Sequence, residues 1–90
     1  MEKNLLFILK SCPYCKQALS WMEELKKENP AYEEVAFTII DEKENPDIAD
    51  KYDYYLVPTY YVNGKKVHEG AASREIVENI LKEATLSSEK

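Results

Sequence analysis

The sequence predicts an α/β domain in which helices cover both faces of a four-stranded mixed sheet. Short apolar runs alternate with stretches of helical periodicity in the first half of the chain. In the second half, an Asn-Gly pair divides two runs of strand-forming residues, and an amphipathic stretch follows. These observations predict the order β-α-β-α-β-β-α. The 90 residues suffice for a single domain over 1–90 with one modest core, and we expect residues 84–90 to form a frayed end.

The first half of the chain predicts a strand, a helix and a second strand. Leu5–Leu9 is a short apolar run typical of a buried strand. A helix is predicted over Pro13–Glu28, because proline suits the first turn of a helix, and Asn29-Pro30 ends it. Glu34–Ile40 is rich in β-branched and aromatic residues and predicts the second strand. Two strands joined through a helix are expected to be parallel, with a right-handed connection.

The second half predicts a short helix, a hairpin and a final helix. Asn45 is an N-cap residue followed by proline and an acid, which predicts a helix over Pro46–Tyr52. The pair Asn63-Gly64 is the preferred two-residue turn of a β-hairpin. Ser73 is a good N-cap for the last helix. That helix is expected to turn five residues inward, namely Ile76, Val77, Ile80, Leu81 and Ala84.

Charge and hydropathy exclude several classes of function. The formal net charge is −5, and an acidic domain repels phosphate backbones, so we expect no nucleic-acid partner. No apolar run reaches the ~18 residues of a membrane helix, and the apolar stretch near the N-terminus is too short for a secretory signal. We therefore expect a cytoplasmic protein without a membrane partner. A monomer is the default expectation for its oligomeric state. In the cytoplasm a cysteine pair is more often catalytic or metal-binding than a permanent disulfide.

The only two cysteines of the chain, Cys12 and Cys15, stand where the first predicted strand passes to the first helix. Cys12 is expected at the helix N-terminus, beside free backbone N–H groups and the positive end of the helix dipole. Both favour a thiolate over a thiol. Cys15 lies one turn further along, on the inner side, and Lys10 adds a nearby cation. A C-x-x-C pair beside a βαβ pattern is typical of reversible dithiol–disulfide chemistry.

Other uses of a cysteine pair compete with this interpretation. A zinc site needs four ligands, and the single histidine, His68, is far away in the hairpin. A structural disulfide would close a loop too short to constrain the unfolded chain much. An iron–sulfur or other metal-binding module would need a dimer or added glutathione, because one chain offers two ligands. A redox-inert interaction domain would give the cysteines no role. We expect no bound cofactor and no metal.

Beyond its fold class, the chain resembles the glutaredoxin and thioredoxin families over about Leu5 to Leu81. The motif "CPYC", with Lys10 before it, is similar to the active site of dithiol glutaredoxins. The stretch from "IIDEKENPD" through "LVPTYYVNGKKVHEG" resembles both families. The resemblance implies a thioredoxin fold and a small thiol–disulfide oxidoreductase. It gives Cys12 the role of the nucleophile that attacks a substrate disulfide, and Cys15 the role of resolving the mixed disulfide.

The resemblance also implies a substrate- or glutathione-binding site around the cysteines. Pro58 matches a cis-proline that faces them, and the backbone of Val57 would then pair with a substrate like an added strand. The free N–H groups at the helix start near Ser73 could hold a carboxylate. The further candidates for this site are Lys10, Tyr14 and Gly70.

Two electron donors remain open. The "CPYC" motif favours glutathione as the reductant, with protein disulfides or glutathione mixed disulfides as substrates. The segment "EGAASRE", Glu69 to Glu75, lacks the Gly-Gly and acids that glutaredoxins usually carry there, and is similar to thioredoxins. That favours regeneration by a flavoprotein, thioredoxin reductase. Thioredoxins, however, usually carry a tryptophan where this chain has Ser11. Either donor implies a role in electron transport and cell redox homeostasis.

Overall fold

The structure, a computed structural model, describes residues 4–88. Its first half contains strand β1, a long helix, a single helical turn and a second strand: β1 Leu5–Ile8, α1 Pro13–Glu28, α2 Pro30–Glu33 and β2 Thr38–Asp41. A short helix, a hairpin and the last helix follow: α3 Pro46–Ala49, β3 Thr59–Val62, β4 Lys65–Glu69 and α4 Arg74–Ser88.

The four strands form one mixed sheet in the order β2-β1-β3-β4. β1 runs parallel to β2, with Leu6 opposite Ile39, and antiparallel to β3, with Leu6 opposite Tyr60. β3 and β4 form the hairpin, whose register shifts between Tyr60 and Tyr61. The predicted mixed sheet, its parallel pair across α1 and its antiparallel hairpin edge are therefore confirmed.

Helices pack on both faces of this sheet, because the side chains of β1 alternate between two cores. Leu6 and Ile8 join the side chains of α1, α2 and α4. Leu5 and Phe7 face the other side, toward Ala49 of α3 and a group of tyrosines. The Phe7 ring lies 4.7 Å from the ring of Tyr54, centroid to centroid. Since β1 is buried on both faces, the loop that follows it starts from a rigid position.

The second strand is shorter than predicted, beginning at Thr38 instead of Glu34. Asn29 ends α1, and its side chain then accepts a hydrogen bond from the N–H of Ala31 at 3.1 Å, with Pro30 at the first helical position. This cap starts the turn α2, which the sequence analysis missed. The next residues are held by burial of Tyr32 and Val35 in the core instead of by strand pairing.

Three other boundaries also differ from the prediction. β1 ends at Ile8, since the carbonyl of Leu9 turns back to accept the N–H of Cys12 at 3.0 Å. α3 ends at Ala49 instead of Tyr52, because the chain tightens into i to i+3 hydrogen bonds, as between the N–H of Tyr52 and the carbonyl of Ala49. The Asn45 side chain donates to the carbonyl of Asp41 instead of capping α3.

Residues 84–88 also differ from the expectation of a frayed segment over 84–90. α4 continues to Ser88, and Ala84 is buried because it extends the inward spacing of Val77, Ile80 and Leu81. Glu89 and Lys90 lie outside the described residues. The predicted cap of α4 is confirmed, since the Ser73 hydroxyl accepts the N–H of Ile76 at 3.1 Å.

The hairpin turn is as predicted. Asn63 and Gly64 both have positive φ, 57° and 82°, which a two-residue turn of this kind requires. Across residues 4–88, no helix combines the length and the apolar character that crossing a membrane demands.

Candidate active site

The site is built on the turn between β1 and α1. Cys12 is the N-cap residue of α1, and its carbonyl accepts the N–H groups of Cys15 and Lys16, each at 3.1 Å. Pro13 occupies the first turn, as the sequence predicts. The Cys12 sulfur makes no capping hydrogen bond with the N–H groups of that turn. The placement of Cys12 at the helix N-terminus thus agrees with the sequence analysis.

The Cys12 sulfur faces the segment that leads into β3. Its thiol donates to the carbonyl of Val57, with Sγ and O 3.9 Å apart. The Val57–Pro58 peptide bond is cis, as the resemblance implies, and Pro58 is fully buried. Cys12 and Val57 are both half-buried. The backbone of Val57 therefore lies beside this sulfur.

Cys15 has a different environment one helical turn further along. Its side chain is 1% exposed and lies in the core between α1 and the sheet. Burial raises the pKa of the Cys15 thiol to about 12; the neighbouring Cys12 and the Glu42 carboxylate act in the same direction, and a backbone hydrogen bond with Leu9 acts against it. In the structure both cysteines are free thiols. The pair therefore combines an accessible sulfur with a buried, protonated one.

Asp41, at the end of β2, supports the turn before Cys12. It is 8% exposed, and its Oδ2 accepts the N–H of Lys10 at 3.2 Å. Its Oδ1 accepts the N–H groups of Lys43 at 2.9 Å and Glu44 at 3.3 Å. Sequence analysis gave Asp41 no role. The available signal was its position, because the carboxyl ends of neighbouring parallel strands meet at one edge of a sheet.

Lys10 has a partner of its own at the rim of the site. Its ammonium lies 2.6 Å from Oε2 of Glu44, and both side chains are largely exposed. The hydrogen bond and the charge of Glu44 raise the pKa of Lys10. Lys10 is thus paired with an acid three residues beyond Asp41, and within residues 4–88 no hydrogen bond joins its side chain to either cysteine.

The remaining predicted residues divide into two groups. Gly70 belongs to the wall of the site, because its N–H donates to the carbonyl of Pro58 at 2.8 Å. Its φ of 99° suits glycine, whereas a Cβ at this position would meet the Leu56 side chain at an ordinary contact distance of 3.4 Å. Tyr14, 63% exposed, projects from the first turn of α1. The Ser73 hydroxyl is occupied in capping α4. The structure therefore groups Cys12, Cys15, Val57, Pro58 and Gly70.

Within residues 4–88, no three His, Cys, Asp or Glu side chains come together as a set that could hold an ion. What the grouped residues offer is an accessible thiol and a buried thiol with a raised pKa, next to the backbone of Val57.

Comparison with known proteins agrees with this geometry. A family model described as the thioredoxin domain matches residues 2–82. A protein named thioredoxin from Methanocaldococcus jannaschii is 35% identical over 77 residues, which cover 86% of this chain and 88% of that protein.

Solved structures give the same answer for the fold. The thioredoxin of Fasciola hepatica superposes with a TM-score of 0.67 and 26% identity, covering 90% of this chain and 78% of that one. The oxidised thioredoxin of Plasmodium falciparum gives 0.69 at 22% identity, covering 91% and 79%, a likeness of fold alone. From the family model, the curated relative and the shared fold we conclude that this chain belongs to the thioredoxin family and is a thiol–disulfide oxidoreductase.

Proposed function

We propose that the protein reduces disulfides in other proteins through reversible oxidation of Cys12 and Cys15. The observation that carries this proposal is the asymmetry of the pair. Cys12 is accessible at the N-terminus of α1 and faces the Val57 carbonyl, whereas Cys15 is buried with a raised pKa. In this proposal the accessible Cys12 attacks the substrate, and the buried Cys15 stays protonated until the second step.

The reaction balances as two sulfur exchanges. The Cys12 thiolate attacks one sulfur of the substrate disulfide, the substrate S–S bond breaks, and the leaving thiolate takes up a proton. The Cys15 thiol then gives up its proton and attacks Cys12 Sγ, which releases the second substrate sulfur as a thiol. Two electrons have passed to the substrate, and a Cys12–Cys15 disulfide remains. Because burial keeps Cys15 protonated, it does not compete with Cys12 for the first attack.

Substrate binding in this proposal uses the backbone next to Cys12. Within residues 4–88, the N–H of Val57 has no hydrogen-bond partner, and its carbonyl is bonded only to the weak thiol donor of Cys12. Both groups are free to pair with an extended substrate chain, in the manner of strand addition. The next residue, Pro58, is held in place by the hydrogen bond that its carbonyl accepts from the Gly70 N–H.

We propose a flavoprotein of the thioredoxin reductase type as the electron donor. The relative from Methanocaldococcus jannaschii is named thioredoxin, which supports this choice. Lys10, a candidate for binding glutathione, is also paired with Glu44, and the Ser73 hydroxyl takes up one of the N–H groups at the start of α4. Glutathione is the second candidate, favoured by the "CPYC" motif.

The chemistry and the donor can be tested separately. With dithiothreitol as a general donor, the protein should accelerate the reduction of insulin disulfides, and Cys12→Ser should abolish the acceleration. Cys15→Ser should retain the first exchange and accumulate a mixed disulfide that mass spectrometry detects. No acceleration by the wild-type protein would refute the proposed activity.

Two coupled assays then identify the donor. NADPH with thioredoxin reductase should sustain insulin reduction, and NADPH with glutathione and glutathione reductase should not. The reverse result would assign the protein to the glutathione system.

We propose that the protein works in the cytoplasm, because a reversible dithiol is the common use of a cysteine pair there. We also propose that it is a monomer. Size-exclusion chromatography of the purified protein tests whether it is a monomer. A bound iron–sulfur cluster would give freshly purified protein an absorption band in the visible range, and we expect none.

A further inference from the structure

Glu69, the last residue of β4, holds the segment that faces the active-site sulfur. Its Oε2 accepts the backbone N–H of Tyr55 at 2.5 Å and that of Leu56 at 3.0 Å. Its Oε1 accepts a hydrogen bond from Lys66 Nζ at 2.7 Å. The Glu69 side chain is 21% exposed. A single carboxylate therefore joins the hairpin to two consecutive amides in another part of the chain.

Those two amides belong to a segment with little else to fix it. Residues 55–58 lie outside any helix or strand, and the side chains of Tyr55 and Leu56 are 90% and 60% exposed. Burial therefore does not anchor this stretch before Val57. The hydroxyl of Thr59 donates to the carbonyl of Leu56, and the Gly70 N–H donates to the carbonyl of Pro58. The N–H groups at the start of the segment depend on Glu69.

The charge state of Glu69 suits this task. The hydrogen bond from Lys66, followed by those from the N–H groups of Tyr55 and Leu56, lowers the pKa of the Glu69 carboxyl to about 2. The group is thus an anion throughout the neutral range, and an anion is a stronger acceptor for backbone N–H groups than a neutral side chain.

We propose that Glu69 is a positioning residue for protein substrates. By fixing Tyr55 and Leu56, it holds the backbone of Val57 in the orientation that pairs with an extended chain beside Cys12. Preorganisation of this kind removes the cost of ordering the segment when a substrate binds. This inference rests on the proposed function and adds a source of selectivity. A protein disulfide needs the fixed segment, whereas a small disulfide needs only Cys12.

The test compares two disulfides on the pre-reduced protein, so no electron donor enters. The reduced protein is mixed with insulin or with bis(2-hydroxyethyl) disulfide, and its oxidation is followed over time by acid quench, alkylation and mass spectrometry. These time courses give a second-order rate constant for each disulfide. We expect Glu69→Ala to slow the reaction with insulin by about three- to tenfold, the range for ordering one or two residues at an interface. The reaction with the small neutral disulfide should change by less than about twofold, because it makes no backbone pairing.

Lys66→Met is the matched control. It removes the ion pair and a hydrogen bond from Lys66 to the carbonyl of Asp53, but it leaves the carboxylate on Tyr55 and Leu56. Its two rate constants should stay close to those of the wild type. Amide hydrogen exchange at Tyr55 and Leu56 gives a second readout, and it should accelerate in Glu69→Ala and not in Lys66→Met. Glu69→Met, which keeps a side chain of similar length but offers the N–H groups no oxygen acceptor, replaces the alanine variant if that variant does not fold.

The possible outcomes separate the two proposals. Equal slowing with both disulfides, no slowing with insulin, or unchanged amide exchange would overturn the positioning role. If the wild-type protein itself does not react with insulin, the proposed function fails instead.

Discussion

The protonation of Cys15 can be tested by leaving it as the only cysteine. The variant Cys12→Ser does this, since the chain has two cysteines. In the wild type, burial and the neighbouring groups raise the pKa of Cys15 from 9.0 to about 12. Three pH units lower the thiolate fraction at pH 7 by about a thousandfold. The substitution removes the contribution of Cys12 to this pKa shift but leaves burial, its largest cause. We therefore expect the thiolate fraction of Cys15 at pH 7 to be at least about a hundredfold lower in the folded variant than in the unfolded chain.

The assay is alkylation by iodoacetamide at pH 7, followed by mass spectrometry, because only the thiolate reacts. The same variant unfolded in urea supplies the reference rate for an unprotected Cys15. Folded Cys12→Ser should react at least about a hundredfold more slowly than the unfolded chain. The companion variant Cys15→Ser should react readily when folded, because the side chain of Cys12 is accessible. If folded Cys12→Ser, verified by circular dichroism, reacts within tenfold of its unfolded rate, the argument from burial is wrong.

The same pKa shift has a consequence for stability at high pH. Unfolding exposes Cys15, which then ionises near pH 9, whereas in the folded protein it ionises near 12. Protons therefore bind more tightly to the folded state, and the stability linked to this thiol is complete below pH 9. It is lost as the pH rises from 9 toward 12.

Three further predictions concern stability. Asp41→Ala should lower the free energy of unfolding in urea by about 2–3 kcal/mol, because three backbone N–H groups lose a charged acceptor. Leu81→Ala should cost about 2–5 kcal/mol, since Leu81 is fully buried, whereas Leu86→Ala on the same helix, at 64% exposure, should change stability by less than about 0.5 kcal/mol. Burial raises the pKa of the Tyr60 phenol. The stability linked to the protonated phenol is complete below about pH 10 and is lost as the pH rises further. Tyr60→Phe lacks this titration, so its stability relative to the wild type should increase as the pH is raised from 8 to 10.5.

Each of these predictions has an outcome that contradicts it. Asp41→Ala with wild-type stability would mean that water satisfies the freed amides. Equal effects of Leu81→Ala and Leu86→Ala would refute the burial of the α4 face. A constant difference between Tyr60→Phe and wild type across the pH range would show that the Tyr60 phenol titrates in the folded protein as it does in the unfolded chain.

Sequence alone predicted the parts of this protein that local physics controls. The bounds of α1, the turn at Asn63-Gly64 and the cap at Ser73 follow from proline position, turn chemistry and side-chain capping, which act within four residues of the chain. The placement of Cys12 at a helix N-terminus is of the same kind. The family resemblance supplied what spacing could not, including the cis bond before Pro58.

Only the tertiary structure decided which distant groups meet. Tyr32 and Val35 are held by the core, and this moved the start of β2. Asp41 reaches the backbone of Lys10 across 31 positions, and Glu69 reaches Tyr55 across 14. Such contacts depend on strand register and on the packing of both sheet faces, so no window of sequence encodes them. The amino-acid sequence determined that the two cysteines lie at the start of a helix. The tertiary structure determined that Cys15 is buried while Cys12 is accessible, and that Glu69 holds the segment before Val57.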